Sequence, residues 1–194
     1  MNSFVPAVVL ENPWVRLEPL NLDHVPDLAK LYEPETWQFF VTFQPSGPGE
    51  EGMRAFVQAL LDSPAVQAWV VIDKSNGRIV GCTTYLDIRP AHKAVEIGMT
   101  WYHSSVRGTK VNPACKLALL EFGFEELGCV RIQLKTDGRN LHSQAAIRKL
   151  GAKEEGTLRK HGIMPDGFIR DTVFFSILPE EWPQVRANLL ARLG

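Results

Sequence analysis

The chain has little of what marks a secreted, membrane-bound or nucleic-acid-binding protein. It has three cysteines, Cys82, Cys115 and Cys129, and none sits in a C-x-x-C pair. No histidine cluster has zinc spacing, so no metal site is expected. An odd cysteine count without a framework fits a reducing compartment, with each thiol a small apolar filler. The start, Met1-Asn2-Ser3-Phe4-Val5-Pro6, lacks the basic residues and apolar run of a signal peptide. No apolar run approaches the ~20 residues of a membrane helix. A soluble, cytoplasmic protein with no membrane partner is therefore expected. Charge of one sign is also missing: 21 Lys and Arg stand against 22 Asp and Glu. That balance argues against a general nucleic-acid partner, which ordinarily shows a basic excess. Repeats and low-complexity tracts are absent.

What is present suits one domain over residues 1–194, with 45% apolar residues to fill a core. Val15 to Leu20 alternates in sidedness and reads as a strand. Asn21 or Asp23 can cap a helix to about Leu31, and helical spacing returns from Glu50 to Leu61. Between them, residues 33–52 mix Pro, Gly and Glu with Trp37, Phe39, Phe40 and Phe43. Gln67 to Asp73 and Arg78 to Ile88 are strands joined by the turn Lys74-Ser75-Asn76-Gly77. Ala94 to Tyr102 completes an antiparallel meander. The period then changes: Leu117, Leu120, Phe124 and Leu127 predict a helix from about Asn112 to Leu127. Val130 to Thr136 is a strand and Leu141 to Leu150 a short helix. Ala152 to Lys160 and Phe168 to Leu178 are strands across Pro165-Asp166-Gly167, and Pro179 opens a last helix to Leu193. The expected fold is α/β or α+β, with helices layered on one mixed sheet.

One unit of this plan carries chemistry. The loop Ser104-Ser105-Val106-Arg107-Gly108-Thr109-Lys110 leaves a strand and opens a helix. Free backbone N–H groups at a helix start attract phosphate, and Arg107 and Lys110 can add charge-assisted contacts. A solvated surface loop has the same composition, so the loop alone leaves both readings open. A Walker Gly-Lys-Ser/Thr and a G-x-G-x-x-G fingerprint are both absent.

The neighbouring blocks add a resemblance. Glu96-Ile97-Gly98-Met99-Thr100-Trp101-Tyr102, Arg107-Gly108-Thr109-Lys110-Val111-Asn112 and Lys116-Leu117-Ala118-Leu119-Leu120 resemble the GNAT acetyltransferase superfamily. So do Arg131 to Asp137, Asn140-Leu141-His142-Ser143, Lys149-Leu150-Gly151-Ala152, Glu155 to His161, and Asp171-Thr172 onward to Trp182. The similarity is greatest to its RimJ/RimL-like branch of ribosomal-protein N-terminal acetyltransferases and runs from about Val15 to Trp182.

The resemblance implies a single mostly antiparallel twisted sheet, helices on both faces, and a V-shaped split between the fourth and fifth strands. Acetyl-CoA would lie in that split, its pantetheine arm pairing with Met99, Thr100 and Trp101 as an added strand. Its pyrophosphate would sit on Val106, Arg107, Gly108, Thr109, Lys110, Val111 and Asn112. Here the family loop has one glycine where two are usual. Asn140, Ser143 and Lys149 match further cofactor positions. The family's tyrosine acid falls on Ile147, so Ser143 is its candidate substitute. Glu96, among Val95 and Ile97, is the first candidate base, and His161 the second. Trp37, Phe40, Tyr102 and Asp171 are candidate acceptor-site residues. The implied reaction is transfer of an acetyl group to a primary amine, such as the N-terminus of a ribosomal or other protein. A small-molecule amine, a non-catalytic acyl-CoA-binding module and a plain nucleotide-binding domain are the alternatives. Homodimers are common in the family, and the sequence leaves the oligomeric state open.

Overall fold

The computed structural model describes residues 4–194; Met1, Asn2 and Ser3 of the N-terminal segment lie outside the described residues. The strands are β1 (Leu10–Glu11), β2 (Val15–Pro19), β3 (Gln67–Asp73), β4 (Arg78–Arg89), β5 (Ala94–Tyr102), β6 (Arg131–Asp137), β7 (Lys153–Ile163) and β8 (Ile169–Ile177). The helices are α1 (Val25–Ala29), α2 (Glu50–Leu61), α3 (Val111–Glu121), α4 (Leu141–Leu150) and α5 (Trp182–Leu193). All eight strands join one sheet in the order β1-β2-β3-β4-β5-β6-β8-β7. Every neighbouring pair is antiparallel except β5 and β6.

The strand period explains the two cores. On β3, Trp69 and Val71 enter one apolar cluster while Ala68 and Val70 enter the other. Successive side chains point to opposite faces, so a strand covered on both sides reads as a continuous apolar run. One face carries α3, α4 and α5 through Leu117, Leu120, Ile147, Leu150, Val185 and Leu189. The opposite face carries α1 and α2 through Val25, Leu28, Met53, Phe56 and Leu60. Trp69 is fully buried, donates its indole N–H to Val8 O at 2.8 Å and meets Tyr85 edge-on at 5.3 Å. Truncating such a residue to alanine costs about 3–5 kcal/mol.

Several boundaries differ from the expected ones. The first helix is broken into a 3-10 turn, Leu22–His24, and the short α1. Asn21 caps that turn, accepting from the Asp23 N–H at 2.8 Å, and Pro26 lies in the first turn of α1. The long helix ends as a π turn over Phe122–Glu126, and the last helix begins at Trp182. Strand β1 is additional; at two residues it is too short to show a period.

The feature that positions the site is the parallel pair. Strands β5 and β6 pair only at Ala94↔Arg131, Val95↔Ile132 and Glu96↔Gln133. Beyond Glu96 they diverge. Strand β5 remains paired to β4 as far as Tyr102, and β6 to β8 as far as Asp137. The edge of β5 that faces β6 is open from Ile97 to Tyr102.

Candidate active site

The divergence opens a cleft of about 680 Å³. Its floor is the open part of β5, which carries a bulge. Between Thr84↔Gly98 and Cys82↔Trp101, β5 has one residue more than β4. Met99 takes a left-handed backbone there, with φ 45°. That conformation is uncommon for a non-glycine residue, and bulges concentrate where a strand must present atoms to something other than its neighbour. Gly98 keeps this place narrow: a Cβ there would lie 2.7 Å from Leu86 Cδ1 and 3.2 Å from Glu96 Oε1.

The loop between β5 and α3 forms one end of the cleft. Gly108 has φ 77°, a value that suits glycine. Among the described residues, the backbone N–H groups of Gly108, Lys110 and Asn112 donate to no protein atom. These are donors at the positive end of α3, and they suit an anion such as a pyrophosphate. The two cations of the loop are already engaged. Arg107 donates to Thr36 Oγ1 at 2.9 Å and Glu33 Oε2 at 3.3 Å, and Lys110 donates to the carbonyls of Leu193 and Gly194.

Glu96 lies where the strands part, and only 1% of it is exposed. Its Oε2 accepts from Gln133 Nε2 at 2.8 Å and pairs with Lys135 Nζ at 3.1 Å. Among the described residues Oε1 accepts no hydrogen bond, and Glu96 lines the cleft. Gln133 is held in turn by Arg131, which Glu155 anchors. On α4, Asn140 Oδ1 caps the helix by accepting from the Ser143 N–H at 3.0 Å. Its side-chain amide and the Ser143 hydroxyl have no partner among the described residues. Asn140, Ser143 and the apolar Ile147 all line the cleft.

Beneath β5, Lys116 of α3 reaches Thr100 Oγ1 at 2.8 Å, and Thr100 meets Thr83 Oγ1 at 2.8 Å. Lys116 has no carboxylate partner among the described residues, and burial pushes its ammonium down to about 8. At the opposite end, burial pushes the Asp137 carboxyl up, but hydrogen bonds from Arg139 hold it below its ordinary value. Arg139 also lies over the Phe168 ring at 3.7 Å.

Of the residues singled out in the sequence, the cleft brings together Glu96, Met99, Thr100, Trp101, Tyr102, Val106, Arg107, Gly108, Asn112, Asn140, Ser143 and Phe40. Others lie elsewhere. Trp37 is packed among Tyr32, Phe40, Phe56 and Trp101, with ring centroids 5.0 to 6.2 Å apart. Val111 is in the core under α3, and Lys149 is exposed on α4. His161 stands on β7 beside Thr172 and Phe174, outside the cleft. Asp171 accepts from the Lys160 N–H at 2.7 Å and faces a separate hollow of about 490 Å³. Sequence reasoning missed Lys116, Lys135, His142, Arg170 and Arg192, which also line the cleft. Lys116, Lys135 and His142 carried a signal, because each lies inside a block already quoted for the resemblance; Arg170 and Arg192 carried none.

Comparison with known proteins agrees with this geometry. Residues 15–153 match the family model described as an acetyltransferase (GNAT) domain. YdaF of Bacillus subtilis (strain 168), assigned as a ribosomal N-acetyltransferase, is 27% identical over 121 residues. That match spans 62% of this chain and 63% of YdaF. A solved structure from T. thermophilus, assigned as an acetyltransferase, is 38% identical with a TM-score of 0.90. The alignment covers 98% of this chain and 99% of that one. Mycobacterium smegmatis RimJ, solved in complex with CoA-disulfide, shares the fold at a TM-score of 0.78 and 22% identity, covering 98% and 97% of the two chains. With its sheet split between β5 and β6 and its family match over most of its length, this chain belongs to the GNAT acetyltransferases.

Proposed function

We propose that the protein uses acetyl-CoA to acetylate the amine at a protein or peptide N-terminus, as in the RimJ/RimL-like branch. The observation that carries this reading is the open edge of β5, which leads to the free amides of Gly108, Lys110 and Asn112. An extended pantetheine arm fits a strand edge, and a pyrophosphate fits those amides. Acetyl-CoA supplies an acetyl group activated as a thioester. The assignment of YdaF as a ribosomal N-acetyltransferase supports a protein acceptor.

The chain's own residues supply positioning and proton transfer. Glu96 Oε1, which accepts no hydrogen bond among the described residues, accepts a proton from the incoming ammonium, directly or through one water. Gln133 and Lys135 fix the other oxygen, so the accepting atom is held in one place. Backbone N–H groups of β5 at the Met99 bulge stabilise negative charge developing on the acyl oxygen. Ser143 Oγ takes the place of the absent tyrosine and delivers a proton to the leaving sulfur. Phe39, Phe40 and Phe43 give the acceptor an apolar wall and exclude water.

The test is a thiol-release assay with acetyl-CoA and a panel of N-terminal peptides and small amines, with products checked by mass spectrometry. Acetylation of peptides at the α-amine is expected. Turnover on small amines alone would contradict the protein acceptor. Absence of turnover on every acceptor, in protein that binds CoA, would contradict catalysis.

A further inference from the structure

The acceptor end of the cleft contains a buried cation that the mechanism above does not use. Arg170 of β8 is 6% exposed and lines the cleft together with Glu96, Lys135 and Asp137. Its Nε donates to Thr172 Oγ1 at 3.1 Å and its Nη1 to the Phe39 carbonyl at 3.1 Å. Both partners are neutral. Among the described residues its Nη2 has no acceptor, and it is not one of the side-chain atoms sealed from solvent without a partner. The guanidinium thus presents part of its fork to the cleft.

The two carboxylates whose charge favours its own each have another cation closer by. Glu96 pairs with Lys135, and Asp137 is held by Arg139. Among the described residues no carboxylate lies within ion-pair distance of Arg170, although the charges of Asp137 and Glu96 act on it favourably. Burial disfavours its charge, and its two hydrogen bonds go to neutral oxygens that satisfy a guanidinium only in part. A planar fork is, however, the group best suited to a carboxylate.

Resting on the reading of this cleft as the acceptor site, we infer that the acceptor brings a carboxylate to Arg170 while its amine lies at Glu96. Two sources have this chemistry. One is an acidic side chain just after the N-terminal residue of a peptide. The other is the α-carboxylate of a free amino acid. Phe39 and Phe40 would flank the segment between the amine and the carboxylate.

The experiment measures acceptor binding by calorimetry in the presence of CoA, where no acetyl transfer can occur. The probes are a seryl-glutamyl peptide amide against its seryl-glutaminyl counterpart, and serine against serinamide. The wild type should bind one acidic probe at least about tenfold tighter than its neutral partner. The pair that discriminates identifies the source. In Arg170→Gln that ratio should fall to about one, with the neutral probe bound as before, while Arg170→Lys should keep part of it. The CoA-induced rise in melting temperature reports that each variant is folded. Should Arg170→Gln fail to fold, the wild-type ratio and its reduction in Arg170→Lys decide. Equal binding of acidic and neutral probes by the wild type would overturn the inference. So would equal weakening of both by Arg170→Gln, which would make Arg170 only a tie to the Phe39 loop. Carboxylate preference without thiol release in the parallel assay would sink the proposed catalysis and leave this inference standing.

Discussion

At the scale of single residues, two ionisable groups of one cleft, Glu96 and Lys116, can be tested separately. Glu96→Gln keeps the size of the side chain and can keep the bond to Gln133, but it removes the proton acceptor. The expected result is a fall in kcat of about 10²–10⁴-fold with CoA affinity unchanged. Loss of CoA binding instead would make Glu96 a structural residue. Lys116 makes a different kind of prediction. Its folded value, about 8, lies below its ordinary 10.5. Between those values the unfolded chain holds the extra proton, so stability rises with pH across that window. Below about pH 8 the full cost of the buried charge is present. Lys116→Met should therefore stabilise the protein by about 1–3 kcal/mol at pH 7, and the gain should vanish by about pH 10.5. Urea unfolding at several pH values measures it. Lys116 lay inside a block of the resemblance and Arg170 did not, yet the surroundings of neither could be read from sequence. What each cation meets is a property of the folded interior, and local spacing does not report it.

At the scale of elements, the strands and helices around the β5–α3 loop were legible because their signals are contiguous. The period change after Tyr102, the small-residue loop and the helix from Val111 lie within one stretch of chain. The elements that were not legible depend on distant partners or on backbone geometry. Strand β1 exists only by pairing with β2, and β8 takes the place next to β6 ahead of β7. The β5 bulge is invisible in the sequence because a methionine, not a glycine, adopts the positive φ. The end of the cleft proposed for the acceptor is assembled from Phe39, Glu96, Lys135 and Arg170, which no window contains together. The loop itself can be tested through Gly108. Gly108→Val forces a branched side chain into φ 77°, at a cost of about 1–2 kcal/mol of strain. CoA affinity should fall by about tenfold as the free amides are re-aimed, with circular dichroism unchanged. An unaffected affinity would move the phosphate seat elsewhere.

At the scale of the whole molecule, the central strands are covered on both faces, β7 stays exposed at the sheet edge, and the cysteines are sealed inside. Burial pushes the Cys82 thiol up to about 12 and Cys129 to about 11, and Cys115 is raised as well. A thiol reagent should therefore modify none of the three in the native protein at about pH 8, and all three in denaturant. Fast native-state reaction of any one would contradict the packing around it. Among the described residues no helix is long and apolar enough to cross a membrane. Opening a sheet between two strands while keeping each paired on its other side is the design the whole fold serves. It leaves one strand edge free inside a rigid frame. Hydrogen exchange with and without CoA tests that claim most directly. New protection is expected at Ile97 to Tyr102 and at Gly108 to Asn112, with little change along β2 and β3. Protection absent from the open edge of β5, or appearing on another surface, would contradict it.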